Sequence, residues 1–281
     1  MSSKVRELQF ATAGQQSIDG DGVKLTRLIG SASVEMLDPF LLLDSFESDQ
    51  PQDYIGGFPN HPHRGFETVT YMFQGKMRHK DSIGNEGVIE PNGVQWMTAG
   101  RGIVHSEMPE QSNGMLHGLQ LWVNLPKAQK MTTPSYQEFV AEQISTETSG
   151  DDKQVHVIAG ETNAGTQGVI NNSSVMPTYL DVKLSSNASF EQSLPSSHNA
   201  FVYVVNGELK VGTEGSVVKS RQLGVLTKGN AVVLTATANG TQFILGAGMP
   251  LKEPVERAGP FVMNTKQELM QAFDDFRNNR F

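Results

Sequence analysis

The feature that most constrains this chain is a succession of short runs in which apolar and polar residues alternate, each closed by turn residues. Glu-Thr-Val-Thr-Tyr-Met-Phe (67–73) is followed by Gln74-Gly75, Val88-Ile89-Glu90 by Pro91-Asn92-Gly93, and the run 116–124 by Leu125-Pro126. Alternation puts every second side chain on one face of a strand. Many short strands separated by turns build a sandwich or a barrel. The 28 Gly and 13 Pro are spread along the chain as punctuation, not gathered into a linker.

Helical periodicity is scarce until the end of the chain. There Thr265-Lys-Gln-Glu268 has the spacing of a capping box, in which a hydroxyl and a carboxylate satisfy free amides at a helix start. Leu269, Phe273 and Phe276 then recur at i, i+4 and i+7, with Met270 and Ala272 beside them. That pattern predicts a terminal amphipathic helix that must dock on something.

A polar stretch, 141–153, separates two β-rich halves, and the second half echoes the first. Residues 67–75 can be laid over 199–207, with Tyr71 over Tyr203 and Gly75 over Gly207, and Glu90-Pro-Asn-Gly93 echoes Thr227-Lys-Gly229. Two domains are therefore expected, 1–140 and 141–281, the second ending in the helix. In this overlay His61 and His63 fall on Ser193 and Pro195. A metal site in the first half is thus lost in the second.

Composition removes several function classes. Thirty Asp and Glu against 22 Lys and Arg leave a formal charge of −8, the wrong sign for a surface that neutralises phosphates, so no direct nucleic-acid binding is expected. There are no cysteines, which excludes disulfides, thiolate catalysis and Cys-ligated metal sites together. Any metal must be held by His, Asp, Glu or water. The longest apolar runs stay far below the roughly 18 residues of a membrane span. The opening Met-Ser-Ser-Lys-Val-Arg-Glu-Leu lacks the apolar core of a signal peptide. A cytoplasmic protein without membrane contact is expected, and a two-barrel chain can be complete as a monomer.

Chemistry concentrates in two segments, Phe58-Pro-Asn-His61-Pro-His63-Arg-Gly-Phe-Glu67 and Gly100-Arg-Gly-Ile-Val-His105-Ser-Glu107. Strand residues i and i+2 share a face about 6.5–7 Å apart. His61 and His63 therefore offer two imidazoles to one side, and His105 and Glu107 an imidazole and a carboxylate. On neighbouring strands these four groups converge on one point. Three neutral imidazoles and a carboxylate suit iron, manganese, nickel, cobalt, copper or zinc, and leave an octahedral ion two open positions. Glu67 competes as the carboxylate, since it shares parity with His63; its alternative role is to brace a ligand by hydrogen bonding. His79, His117, His156 and His198 have no partner at this spacing and are read as non-ligands. Arg64, on the opposite parity, is read as a structural ion-pair residue. Trp96 and Met97 are expected near the site or in the core, and Gly100 and Gly102 to allow a tight backbone path before His105.

These segments resemble the pirin family, a branch of the cupin superfamily. The matching words are Asp53-Tyr-Ile-Gly-Gly-Phe-Pro-Asn-His-Pro-His-Arg-Gly-Phe-Glu-Thr-Val-Thr-Tyr71, Val94-Gln-Trp-Met-Thr-Ala-Gly-Arg-Gly-Ile-Val-His-Ser-Glu-Met-Pro109, Leu121-Trp-Val-Asn-Leu-Pro126 and the segment 250–265. The resemblance implies an all-β chain of two stacked cupin-type (jelly-roll) β-barrels, a bicupin, with a short C-terminal α-helix. It implies one divalent metal in the N-terminal barrel, Fe(II) first among the candidates, held by His61, His63, His105 and Glu107, which favours Glu107 over Glu67. It further implies a quercetinase, opening a flavonol ring with O2 and releasing CO, with Glu107 as the base for the 3-hydroxyl. The implied partners are a small aromatic flavonol and O2. The other role the resemblance implies is a metal- and redox-dependent protein-interaction cofactor.

Overall fold

The structure is a computed structural model that describes residues 4–281. The chain divides into two compact units. One takes Gln15–Ala141 and Leu251–Phe281; the other takes the chain up to Gly14 together with Glu142–Pro250.

The first unit holds two antiparallel sheets. The larger runs in the order Ser135–Phe139, Val94–Thr98, Phe66–Gln74, Leu116–Asn124, Phe40–Ser48, Val23–Ile29 and Gln15–Asp19. The smaller runs Phe58–His63, Ile103–Pro109, Met77–Asp81 and Glu86–Ile89. The alternating runs seen in the sequence become these strands, and the central one, Phe66–Gln74, is buried on both faces, Val69 and Tyr71 on one and Thr68 and Thr70 on the other; it stops at Gly75, whose φ of 77° closes the turn. The second unit is a single nine-stranded sheet system around an apolar cluster that includes Val155, Leu180, Phe190, Leu194, Val202 and Phe243. Its strand Asn199–Val211 repeats the first unit's Phe66–Gln74 in two details: Tyr203 is buried like Tyr71, and Gly207 has the same φ of 77° as Gly75. This is the all-β, two-cupin architecture with one C-terminal helix.

The expected division into 1–140 and 141–281 needs correction at both ends. The chain crosses between units at Ala141, where the polar stretch begins, but its termini are exchanged. Leu8–Thr12 pairs with Leu223–Leu226, satisfying the edge of the second sheet. The helix Lys266–Arg277 belongs with the first unit, where Leu269 and Ala272 pack on Phe261 and Met263, and Phe273 meets Phe261 at 4.8 Å. The capping box also differs from its usual form. Thr265 Oγ1 accepts from the Glu268 amide at 3.2 Å, but Glu268 Oε2 reaches back to the Asn264 amide, at 3.1 Å, and not to that of Thr265. Of the predicted apolar face, Met270 and Phe276 remain exposed.

Candidate metal centre

Strand Phe58–His63 lies antiparallel beside Ile103–Pro109, with His61 opposite His105 and His63 opposite Ile103. Directly opposed residues share a face, and so do residues two apart, so this register alone points all three imidazoles inward. The ring centroids lie 4.5 Å (His61–His105), 4.6 Å (His61–His63) and 5.0 Å (His63–His105) apart. One ring nitrogen from each falls within 4.8 Å of the others, close to what ligands of a single ion require. His117, His156 and His198 lie outside this cluster, as does His79, which instead meets Glu138 at 2.7 Å.

The donor set suits a cation. His63 and His105 are buried, and His63 Nδ1 and both ring nitrogens of His105 have no hydrogen-bond partner, an expensive state for buried polar atoms. Burial first, and the neighbouring imidazoles second, hold both rings well below the ordinary histidine range, so they are neutral and their lone pairs are available. Half-buried His61 is oriented by the Pro59 carbonyl, 2.8 Å from its Nδ1. A carbonyl only accepts, so Nδ1 carries the proton and Nε2 is left as the ligand atom.

Glu107 stands beyond a β-bulge that separates it from His105, opposite Phe58. It is buried and lines the same cavity as His61 and His63, but its carboxylate is turned toward the larger sheet. There Thr70 Oγ1 lies 2.9 Å from its Oε1, and Gln120 Nε2 donates to Oε2 at 3.4 Å. Glu67 is not brought to the cluster. The strand ends at His63, the chain turns through Arg64 and Gly65, and parity is reset: Phe66 and Thr70 face the site, so Glu67 faces away and accepts from Thr98 at 2.8 Å. Gly65 has φ 88°, and a Cβ there would lie 2.0 Å from the Val262 carbonyl.

Arg64 has the structural role read from its parity, pairing with Asp275 at 2.7 Å and pulling that carboxyl down to about 2. Its guanidinium also sits 4.3 Å from the Phe281 ring centroid. Lys130, 1% exposed, donates to Gly65 O (2.7 Å), Asn124 Oδ1 (2.7 Å) and Val262 O (3.0 Å), and burial lowers its pKa to about 8. Gly100 has φ 51°, and a Cβ there would meet the Thr132 carbonyl at 2.1 Å. Met97 packs with Ala99 and Ile103, and Trp96 is buried without lining the cavity.

That cavity, of about 430 Å³, opens on the histidines. Leu25, Leu42, Phe46 and Phe58 give it an apolar wall, while Gln120, Trp122 and Arg257 bring groups that sequence reasoning missed. For Gln120 and Trp122 a signal existed, since they alternate with buried Leu119, Leu121 and Val123 in one strand. Arg257 is distant in sequence and carried none.

Three histidines clustered inside a β-rich unit beside a cavity have the donor set of a metal-site cupin. The description "Pirin" matches residues 22–123 and "Pirin C-terminal cupin domain" matches residues 179–281. The chain is 49% identical over 277 residues to a pirin-like protein of Caulobacter vibrioides, covering 99% of each chain, and 41% identical to pirin of Homo sapiens, covering 97% of this chain and 93% of that one. A crystal structure of quercetin 2,3-dioxygenase from Acinetobacter baumannii is 34% identical and superposes with a TM-score of 0.90 over 99% of both chains. The chain belongs to the pirin family. No helix among the described residues is long and apolar enough to cross a membrane.

Proposed function

We propose that this protein is a metal-dependent dioxygenase that opens a flavonol-type ring with O2 and releases CO, working in the cytoplasm. In this reading His61, His63, His105 and Glu107 hold one divalent transition-metal ion, Fe(II) first among the candidates. The observation that carries it is the cluster of three imidazoles, two of them buried and neutral with unpartnered ring nitrogens, beside an aromatic-sized cavity. The relative described as a quercetin 2,3-dioxygenase, similar over its whole length, supports the substrate class.

When bound, the ion supplies Lewis acidity toward the substrate's 3-oxygen and access to O2 chemistry. The rest is the work of this chain's own residues. Phe46, Phe58 and Leu42 bind the aromatic rings and exclude water from the reacting face. Glu107 takes the 3-hydroxyl proton. Thr70 and Gln120, which lie against its two oxygens at 2.9 and 3.4 Å, position the carboxylate beside the histidines.

The test is oxygen uptake and CO release with quercetin, on protein loaded in turn with iron, manganese, nickel and cobalt. Turnover with at least one ion is expected, and His61→Ala should abolish it together with metal retention. Absence of turnover with every ion would overturn the proposal.

A further inference from the structure

The cavity contains two arginines in different circumstances. Arg27 is fully engaged: its Nε and Nη2 reach Asp44 at 2.9 and 2.7 Å, and Nη2 also meets Asp19 at 3.0 Å. Arg257, on the short strand Glu256–Ala258, makes one long hydrogen bond, from Nη1 to the Leu41 carbonyl at 3.3 Å. Among the described residues no carboxylate forms an ion pair with it; Asp44 and Asp19 attract it only through space, and most of its N–H donors are unused. The side chain is exposed at the cavity mouth, yet it is not loose. Its guanidinium carbon sits 4.6 Å from the Trp122 ring centroid, a cation–π contact that holds it in place. Trp122 in turn meets His63 edge-on at 5.3 Å. One aromatic ring therefore separates a positioned, unpaired cation from the histidine cluster.

Unused N–H donors on a cation held at the cavity are the groups that an oxyanion on a ligand would pair with. Leu25, Leu42, Phe46 and Phe58 give the wall an apolar stretch that suits an aromatic ring system, beside Asp19 and Asp44, which Arg27 engages. We infer that Arg257 selects substrates that carry a negative charge, a carboxylate or acidic phenolate, about one ring's breadth from the oxygen held at the histidine cluster. The inference rests on the flavonol reading for the orientation of the ligand. The guanidinium fork is the group that pairs a planar oxyanion by two parallel hydrogen bonds, which a lysine cannot reproduce. Arg257 acts here on binding, and no step of the ring opening is assigned to it.

The experiment uses the full chain loaded with one equivalent of Zn²⁺, so that binding is read without turnover. Two matched probes, 3-hydroxyflavone and its 4′-carboxylate, are titrated at neutral pH and followed by flavonol absorbance. The wild type is expected to prefer the carboxylate by about fivefold, with the preference falling as salt is raised. Arg257→Gln should bring the ratio near one and Arg257→Lys should keep only part of it, with zinc stoichiometry unchanged in both. A second pair, 2-naphthoate against 2-naphthamide, repeats the comparison without flavonol chemistry. Loss of the naphthoate preference in Arg257→Gln, with no flavonol bound by any variant, would support Arg257 as the anion selector while removing the flavonol reading. A wild type that does not discriminate in either pair, or a preference that survives Arg257→Gln, would overturn the inference.

Discussion

The two units use similar strands to enclose different interiors. In the unit around Glu142–Pro250, the strand Ser189–Ser193 turns Phe190 inward, and Leu194 follows it into an apolar cluster that reaches Leu234 and Phe243. Ser193 and Pro195, which the sequence overlay sets against His61 and His63, are exposed there. In the unit around Gln15–Ala141, the inward groups are His61, His63, His105, Glu107, Thr70 and Gln120, and apolar residues collect in patches to either side. Buried polar groups cost free energy unless they are paired. The first unit offsets that cost with hydrogen bonds around Glu107 and, in our reading, with a cation. The second encloses an apolar cluster where the first encloses its histidines.

The comparison breaks first at the histidines. His105→Ala should lose tight metal binding and flavonol turnover altogether while the protein stays folded, as metal analysis and circular dichroism on one preparation would show. The converse substitution in the second unit should act oppositely. Phe190→Ala is expected to cost about 4 kcal/mol in denaturant unfolding, the range for removing a buried aromatic, and to leave metal content unchanged. A smaller effect sharpens the picture at the frame of the first unit. Lys130→Met leaves Gly65 O, Asn124 Oδ1 and Val262 O without their donor, so a loss of about 3 kcal/mol is expected, along with weaker metal retention as the turn after His63 loosens.

A pH dependence is also expected, to which the first unit contributes through His63 and His105 and the second through His156 and His198, which burial likewise lowers. His63 and His105 are depressed below the ordinary value, so below about pH 6.5 the unfolded chain takes up protons that the folded rings refuse. Stability of the metal-free protein is then complete above that pH and falls as pH is lowered beneath it, by at most about 1.4 kcal/mol per pH unit for each histidine. Unfolding curves between about pH 7 and pH 5 should flatten in His105→Gln; an unchanged slope would show that the rings are not held neutral by the fold.

Much of this was legible in the residues. Strand runs, the terminal helix and the two histidine pairs follow from local alternation and spacing, and local signals survive in any tertiary setting. What escaped was non-local. The exchange of termini depends on Leu8–Thr12 finding the sheet edge at Leu223–Leu226, and no short window records that pairing. Glu67 looked like a ligand only while the strand was taken to continue past His63; the turn at Arg64-Gly65, held by Lys130 and the Val262 backbone, reverses its face. Arg257 joins the cavity through a segment nearly two hundred residues from His63, so only the fold could bring it there.

Placing one ion among His61, His63, His105 and Glu107 commits the structure to a single location for electron-dense scattering. Anomalous diffraction at the absorption edge of the bound metal, on crystals of protein grown with controlled iron supply, measures that location directly. One peak should appear about 2.0–2.3 Å from a ring nitrogen of each histidine and from a Glu107 oxygen, with none in the second unit. A peak absent from this cluster, or Glu107 still turned to Thr70 beside an ion held by the histidines alone, would contradict the account.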